Sequence, residues 1–253
     1  MKKLIYGFFM AWGMFLSIPC PFPKWDENAK RQMLCCLPVI GCIVGGIWAG
    51  ACFLLYKAQF IPSPVRAVIL AALPWLLTGF MHLDGFMDVC DAVLSRRDLE
   101  TKRRILKDSH CGAFAVICTV LLILLQWSLF YSIDDCKGLL LPLALIPPAV
   151  RSVCALSVLT LRPMQSSQYS GTAHNKKSVF AVSLMLAALT IPIAVFAGKI
   201  GFSAFAPLVS AIACSAAVRH GYKQLDGMSG DISGFALTIG ELAGAATLVL
   251  LKF

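Results

Sequence analysis

Charge is what this chain has least of. Charged residues make up 14% of its 253 positions and only 13 residues are acidic, against 58% apolar residues. A soluble domain averages about 25% charged and about 45–50% apolar residues, so the composition, with a mean hydropathy of +0.79, excludes a water-soluble globule. Ligand-type cysteine spacing is missing as well. The 11 cysteines are scattered, with no CxxC pair and no His/Cys alternation, which argues against a zinc site or a disulfide framework. Free thiols fit a reducing cytoplasm. There is no internal repeat, no low-complexity tract and no loop long enough to fold alone. An active site in such a chain must be assembled from helix ends.

What is present is a series of apolar runs. Seven are long enough to span a bilayer: 34–57, 64–82, 113–133, 138–161, 178–198, 203–218 and 234–251. The sixth is the shortest. The expectation is an all-α polytopic membrane helix bundle, one integral-membrane domain over residues 1–253. Before the first span, Met1-Lys-Lys and the apolar run Leu4–Ile18 imitate a signal peptide, but Pro19-Cys-Pro-Phe-Pro23 offers no small-x-small cleavage site. This segment reads as a retained, short membrane-associated helix, its Phe8, Phe9, Trp12 and Phe15 packing or facing lipid.

The net charge of +9 does not point to nucleic acid, because the basic residues sit in the loops between apolar runs. If the loop from Arg96 to Lys107 is cytoplasmic, alternating the spans places 16 of the 22 Lys and Arg residues on that side. Lys57, Arg66, Lys137, Arg151, Lys199 and Lys252 remain outside or within spans. This asymmetry is what the positive-inside rule requires. The same orientation brings Asp84, Asp88, Asp91, Asp108 and Asp231 to the cytoplasmic face, together with His82, His110, His174 and His220.

The acids carry the chemistry. In His82-Leu-Asp84-Gly-Phe-Met-Asp88-Val-Cys-Asp91, positions i, i+4 and i+7 fall at about 0°, 40° and −20° around a helix, so three carboxylates share one narrow face. Like charges that close repel unless a cation sits among them, and acids near a bilayer read as a functional site. Mg²⁺ takes one or two carboxylates together with substrate phosphates, which makes Asp84, Asp88 and Asp91 candidate metal ligands for a phosphoryl-type transfer. Lys107-Asp108 lies at the mouth of the third span, near Ser109 and Gly112. Lys107 could hold phosphate as a point charge, and Asp108 could complete the metal site or act as a base. Gly227-Met-Ser229-Gly230-Asp231-Ile-Ser-Gly234 reads as a glycine-rich loop that approaches a ligand ahead of the last span. His82, His110 and His174 are candidate bases or interfacial anchors. Arg151 and Glu241, about ten and eight residues into their spans, sit at similar depth at 1.5 Å per residue and read as a structural ion pair.

These residues together resemble the cobalamin synthase family, the adenosylcobinamide-GDP ribazoletransferases. The resemblance is carried by Thr78-Gly79-Phe-Met-His82-Leu-Asp84-Gly85-Phe-Met-Asp88-Val-Cys-Asp91, by Lys107-Asp108-Ser109 with Gly112, and by Ser229-Gly230-Asp231 with Gly234 and Glu241. Phe15-Leu-Ser-Ile-Pro19-Cys-Pro21 resembles the segment that opens these proteins. The chain departs from the family at Ser17-Ile18, often Thr-Arg, at Ala92, often Gly, and at His110, often Arg.

The resemblance implies transfer from adenosylcobinamide-GDP to α-ribazole or its 5′-phosphate. The products are adenosylcobalamin or its phosphate, completing vitamin B12, and GMP. It further implies Mg²⁺ on Asp84 and Asp88, with Asp91 as ligand or base. Lys107 would contact phosphate, Asp108 and Asp231 would serve as further ligands or orienting groups, and Ser109, Gly112, Ser229 and Gly230 would line the substrate. His82 remains a candidate catalytic base. The expected setting is the cytoplasmic (inner) membrane of a prokaryote, with the site facing the cytoplasm. The expected partners are the two substrates and the bilayer, not nucleic acid, with room for a homo-oligomer or a complex with other late cobalamin enzymes. Two other readings share the acids. A CDP-alcohol-type phosphotransferase has a second acid pair after a Gly-containing spacer, where the counterpart here would be Asp108, with a long basic stretch intervening. A cation-coupled transporter expects acids at mid-membrane depth, where only Glu241 suits it.

Overall fold

The computed structural model describes residues 2–58, 60–164, 175–196 and 201–251. His174, Lys199, Lys252 and the end of the fifth expected span lie outside the described residues. The described chain forms ten α-helices: α1 Lys2–Phe15, α2 Lys30–Lys57, α3 Ser63–Leu77, α4 Met81–Leu94, α5 Leu99–Ile105, α6 Ala113–Tyr131, α7 Leu140–Thr160, α8 Lys176–Val195, α9 Ala206–Leu225 and α10 Gly230–Leu250. Short 3₁₀ turns precede α2 at Glu27–Ala29 and α9 at Phe202–Phe205. Among the described residues the only β-type pairing is a single bridge between Pro163 and Met228. Six helices, counting the 3₁₀ turns that lead into α2 and α9, are long and apolar enough to cross a membrane, and the bent pair α3–α4 makes a seventh when taken together. The chain is a multi-pass, all-α membrane bundle.

Helices α7 and α10 are the most enclosed, while α6 and α8 present most of their surface outward. Phe114, Ile117, Leu121 and Leu124 of α6 are exposed, as lipid-facing residues are. A close backbone approach joins α2 to α7. A Cβ on Gly41 would lie 2.7 Å from Pro148 N and 2.8 Å from Pro147 O, and one on Gly45 would overlap Ala144 O. Two glycines four apart thus let the backbones touch, which is how helices associate where lipid is as apolar as the side chains.

Two expectations need correction. The second run does not continue as one helix from 64 to 82 with the acids at its end. Helix α3 stops at Leu77, Gly79 and Phe80 take left-handed φ values of 58° and 61°, and α4 leaves at 90°. Pro74 lies inside α3 and has no amide to offer the carbonyl of Leu70. The indole of Trp48 supplies that donor at 2.8 Å, and Gln126 donates to Ala71 O at 2.9 Å. At the broken end, Ser17 Oγ donates to Leu76 O (2.8 Å) and Ser17 N to Leu77 O (2.8 Å). Carbonyls before and at the break thus receive donors from α2, α6 and the segment after α1. The sixth run is also longer than expected: with its leading 3₁₀ turn it covers Phe202–Leu225, because Arg219, His220 and Lys223 extend the helix beyond the apolar stretch.

Arg151 and Glu241 form the expected pair, at 2.9 Å, with side chains only 2% exposed. Arg151 Nη1 also reaches Pro147 O at 3.2 Å. Removing one partner of a buried pair typically costs about 3–5 kcal/mol, whereas an apolar replacement of both is often nearly neutral. Arg151→Leu and Glu241→Leu are each expected to lower the thermal midpoint of the detergent-solubilised protein sharply, and the double variant to recover much of that loss. A double variant no more stable than the worse single one would refute a pairing role.

Candidate active site

Helix α4 carries the acids because its apolar positions lie on the opposite face. Leu83, Phe86, Val89 and Cys90 are buried, while Asp84 is exposed and Asp88 and Asp91 are half-buried. The three carboxylates share one face, as the spacing predicts. A fourth comes from α10. Here the glycine-rich segment differs from the expected loop: α10 begins at Gly230, four residues before the expected span. Ser229 is its N-cap, accepting from Ile232 N at 3.3 Å. Asp231 sits in the first turn, where the helix dipole favours a carboxylate. The Ser229 hydroxyl donates to Asp231 Oδ2 at 3.3 Å.

Two glycines bring the helices together at this point. A Cβ on Gly85 would lie 2.9 Å from Asp231 O, and one on Gly234 would lie 3.0 Å from His82 O and 3.4 Å from Gly85 Cα. The Thr238 hydroxyl, 3.3 Å from His82 O, adds a polar tie. Because of this crossing, Asp88 feels the charges of Asp84, Asp231 and Asp91 together. Asp91 has a neighbour of its own: a Cβ on Gly112 would overlap its carboxylate. The close approach expected of Gly112 is to this acid.

The loop residues are placed differently. Lys107, Asp108, Ser109 and His110 are exposed. The Asp108 carboxylate accepts from the His110 amide at 3.0 Å and pairs with His110 Nδ1 at 2.7 Å. These bonds, the amide first, hold its carboxyl below the usual carboxylate range. Asp108 thus turns toward His110. His82 is buried, stacks on Phe15 with ring centroids 6.3 Å apart, and has no partner at Nε2.

Residues not singled out from the sequence hold the segment before Asp231. Asp226 ends α9 with φ 51°. It is paired with Arg162 and accepts from Arg103 Nη2, at its main-chain oxygen, at 2.7 Å. Arg103 Nε donates to Leu225 O at 3.0 Å and Lys102 to Gln224 at 2.6 Å. These cations sit where the C-terminal carbonyls of α9 want them. Part of the basic loop is therefore a clamp, and the Asp226-Gly227 turn dipeptide is the only signal for it in the sequence.

Among the described residues, no three His, Cys, Asp or Glu side chains converge closely enough to chelate an ion as they stand. The donor set nonetheless suits a hard cation that binds one or two carboxylates and completes its shell with waters and phosphate oxygens. Four carboxylates from two crossed helices suit that chemistry and no soft metal.

The crossing can be tested without any substrate. Over-packing a close contact typically costs about 1–3 kcal/mol, so Gly85→Val is expected to lower the thermal midpoint clearly. Gly46→Val is the control, because a Cβ there meets nothing within 4 Å, and it should leave the midpoint nearly unchanged. Equal shifts in both variants would show that the crossing is not tight.

Comparison with known proteins bears on the whole chain. The profile of the cobalamin-5-phosphate synthase family matches residues 7–249. An adenosylcobinamide-GDP ribazoletransferase of Clostridium botulinum (strain Alaska E43 / Type E3) is 37% identical over 250 residues, covering 96% of this chain and 97% of that protein. One of Clostridium perfringens (strain 13 / Type A) is 34% identical over 253 residues, covering 98% and 99%. A third, from Geobacillus kaustophilus (strain HTA426), is 29% identical over 248 residues, covering 95% and 94%. No solved structure matches the chain significantly. With a profile match and relatives of this kind across nearly its full length, the chain belongs to the cobalamin-5-phosphate synthase family.

Proposed function

We propose that this protein is an adenosylcobinamide-GDP ribazoletransferase, joining adenosylcobinamide-GDP to α-ribazole or its 5′-phosphate. The observation that carries the reading is the gathering of Asp84, Asp88, Asp91 and Asp231 by a glycine crossing, in a chain similar end to end to proteins of that name. In the transfer, a ribose hydroxyl oxygen of the acceptor forms a bond to the phosphorus that carries the cobinamide. The bond from that phosphorus to the bridging oxygen of the pyrophosphate breaks, and GMP leaves with the electron pair. The hydroxyl proton passes to a carboxylate, with Asp91 as the first candidate, or to water.

Asp84 and Asp88 are the proposed ligands of Mg²⁺, with Asp91 and Asp231 as further ligands or orienting groups. Mg²⁺ bound there would offset the negative charge that phosphoryl oxygens carry through the reaction. Lys107, exposed at the mouth of α6, would meet a substrate phosphate as a point charge. Asp108 would act from the loop on an incoming substrate. The positive-inside distribution of Lys and Arg supports a site facing the cytoplasm. A cation-coupled transporter needs a free acid in mid-membrane, and Glu241 is bound to Arg151.

The test is GMP release by the purified, detergent-solubilised protein given adenosylcobinamide-GDP and α-ribazole, with and without Mg²⁺. The expected result is release that requires both the acceptor and the metal. Losing one group that stabilises transition-state charge typically costs about 10²–10³ in rate, so Asp84→Ala and Asp88→Ala are each expected to lower turnover at least about a hundredfold. Turnover intact in either variant would overturn the assignment of that aspartate.

A further inference from the structure

Away from the acids, a groove of about 510 Å³ runs between the C-terminal ends of α7 and α9, with Leu186 of α8 as its third wall. The positive-inside distribution turns these ends to the cytoplasm. From Val153 to Leu161 the groove follows α7 for about 12 Å. Its walls are apolar, from Val153, Leu156, Leu186 and Val218. Ser157, Thr160 and Ser215 also line it, but each hydroxyl already donates to its own helix, at 2.8, 2.7 and 2.7 Å. At the mouth stand Arg219 and Lys223, exposed and one turn apart on the same face of α9. A second groove, of about 500 Å³, shares Thr160 with the first. It is lined by Leu159, Val179 and Phe180, with Lys176 in the first turn of α8.

The charges select the occupant. Among the described residues no acid lines either groove, and Lys176, Arg219 and Lys223 have no hydrogen-bond or ion-pair partner. The cavity beside the active site has the opposite character: Phe15, His82 and Arg151 enclose it together with Asp84 and Asp231. Lys223 lies in the last turn of α9, where the helix dipole favours a cation. Arg219 lies a turn earlier, beyond the dipole's reach. A soluble anion would meet the cations and leave the apolar length of both grooves to water. A hydrocarbon chain alone would leave the cations unused. A phosphodiester carried on two acyl chains satisfies both, and two grooves joined at Thr160 suit two chains. Anionic lipids enrich the cytoplasmic leaflet and collect at basic pockets between spans. A zwitterionic headgroup brings its own cation and gains less from three further ones.

We infer that these grooves seat one anionic phospholipid of the cytoplasmic leaflet, its phosphate on Arg219 and Lys223 with Lys176 alongside, and its acyl chains against α7. Helix α8 is the least enclosed of the six candidate spans. The lipid fills the gap between α8 and the α7–α9 pair and so completes the packing of that helix. The inference is independent of the transferase reading, and its test needs no substrate.

Native mass spectrometry of the full-length protein, delipidated in detergent and titrated with phosphatidylglycerol or phosphatidylcholine of the same acyl chains, tests this. A lysine or arginine near an anionic lipid surface strengthens binding about fivefold. One phosphatidylglycerol is therefore expected to bind about tenfold or more tightly than phosphatidylcholine. The double variant Arg219→Gln/Lys223→Gln is expected to lose that preference. Arg96→Gln/Arg97→Gln, which removes the same charge from another loop on the same side, is expected to keep it. Equal binding of the two lipids by the wild-type protein overturns the inference, as does a preference that survives in Arg219→Gln/Lys223→Gln or falls equally in both double variants. Displacement of phosphatidylglycerol by an equal concentration of inorganic phosphate would show an anion site alone and overturn the lipid assignment. If Arg219→Gln/Lys223→Gln fails to fold, Ser215→Trp decides, because it puts an indole into the groove and leaves the cations in place: weaker phosphatidylglycerol binding supports the site, and unchanged binding is equally fatal.

Discussion

Inside a bilayer a helix can turn through a right angle only if the carbonyls it abandons find other donors. The site of this protein depends on meeting that constraint between α3 and α4. Pro74 and the left-handed Gly79 and Phe80 break the helix. Trp48, Gln126 and Ser17 then donate to the carbonyls around the break. The three donors come from parts of the chain far apart in sequence, so the turn is stable only in the assembled bundle. Without it, Asp84, Asp88 and Asp91 would continue along the axis of α3 instead of crossing α10.

The crossing is the second dependency. Gly85 and Gly234 remove the side chains that would hold α4 and α10 apart, and Asp231 thereby joins the face formed by the other three acids. Carboxylates grouped in this way around Asp88 form an unfavourable arrangement by themselves. The surrounding structure holds it by other means: the Thr238 tie, the Ser229 cap, and the clamp of Arg103 and Arg162 on Asp226 just upstream. Repulsion among the acids is what makes the site ready for positive charge. Behind it, the neutral Arg151–Glu241 pair and the apolar cavity make a compartment of the opposite character.

Much of this was legible beforehand, and the particulars explain why. The i, i+4, i+7 spacing of Asp84, Asp88 and Asp91 puts them on one helical face whatever the fold, and the structure keeps them there. Arg151 and Glu241 could be matched by depth because a lone charge within a span needs a partner. Asp231 is marked as a candidate by its glycines, whose clustering suggests a loop; Gly230 and Gly234 are instead helical, and Gly234 serves close packing. The break after Leu77 was not legible, since Leu76-Leu77-Thr78-Gly79-Phe80-Met81 is as apolar as the span before it. The role of Ser17 as donor to α3 spans some 60 positions and has no local signature. Asp108, placed in the chemistry by its neighbourhood in the chain, turns toward His110 in the folded protein.

The sequence by itself determined the solvent, the helical class and the chemical type of the site. Hydropathy, charge asymmetry and the periodicity of acids are properties of short windows and survive any arrangement of the helices. Tertiary structure alone decided which acids meet, that α4 departs at a right angle, and that Phe15, His82 and Arg151 enclose a cavity. Those outcomes depend on backbone approaches at Gly41, Gly45, Gly85 and Gly234 and on hydrogen bonds between distant segments. Such contacts exist only once the bundle has closed.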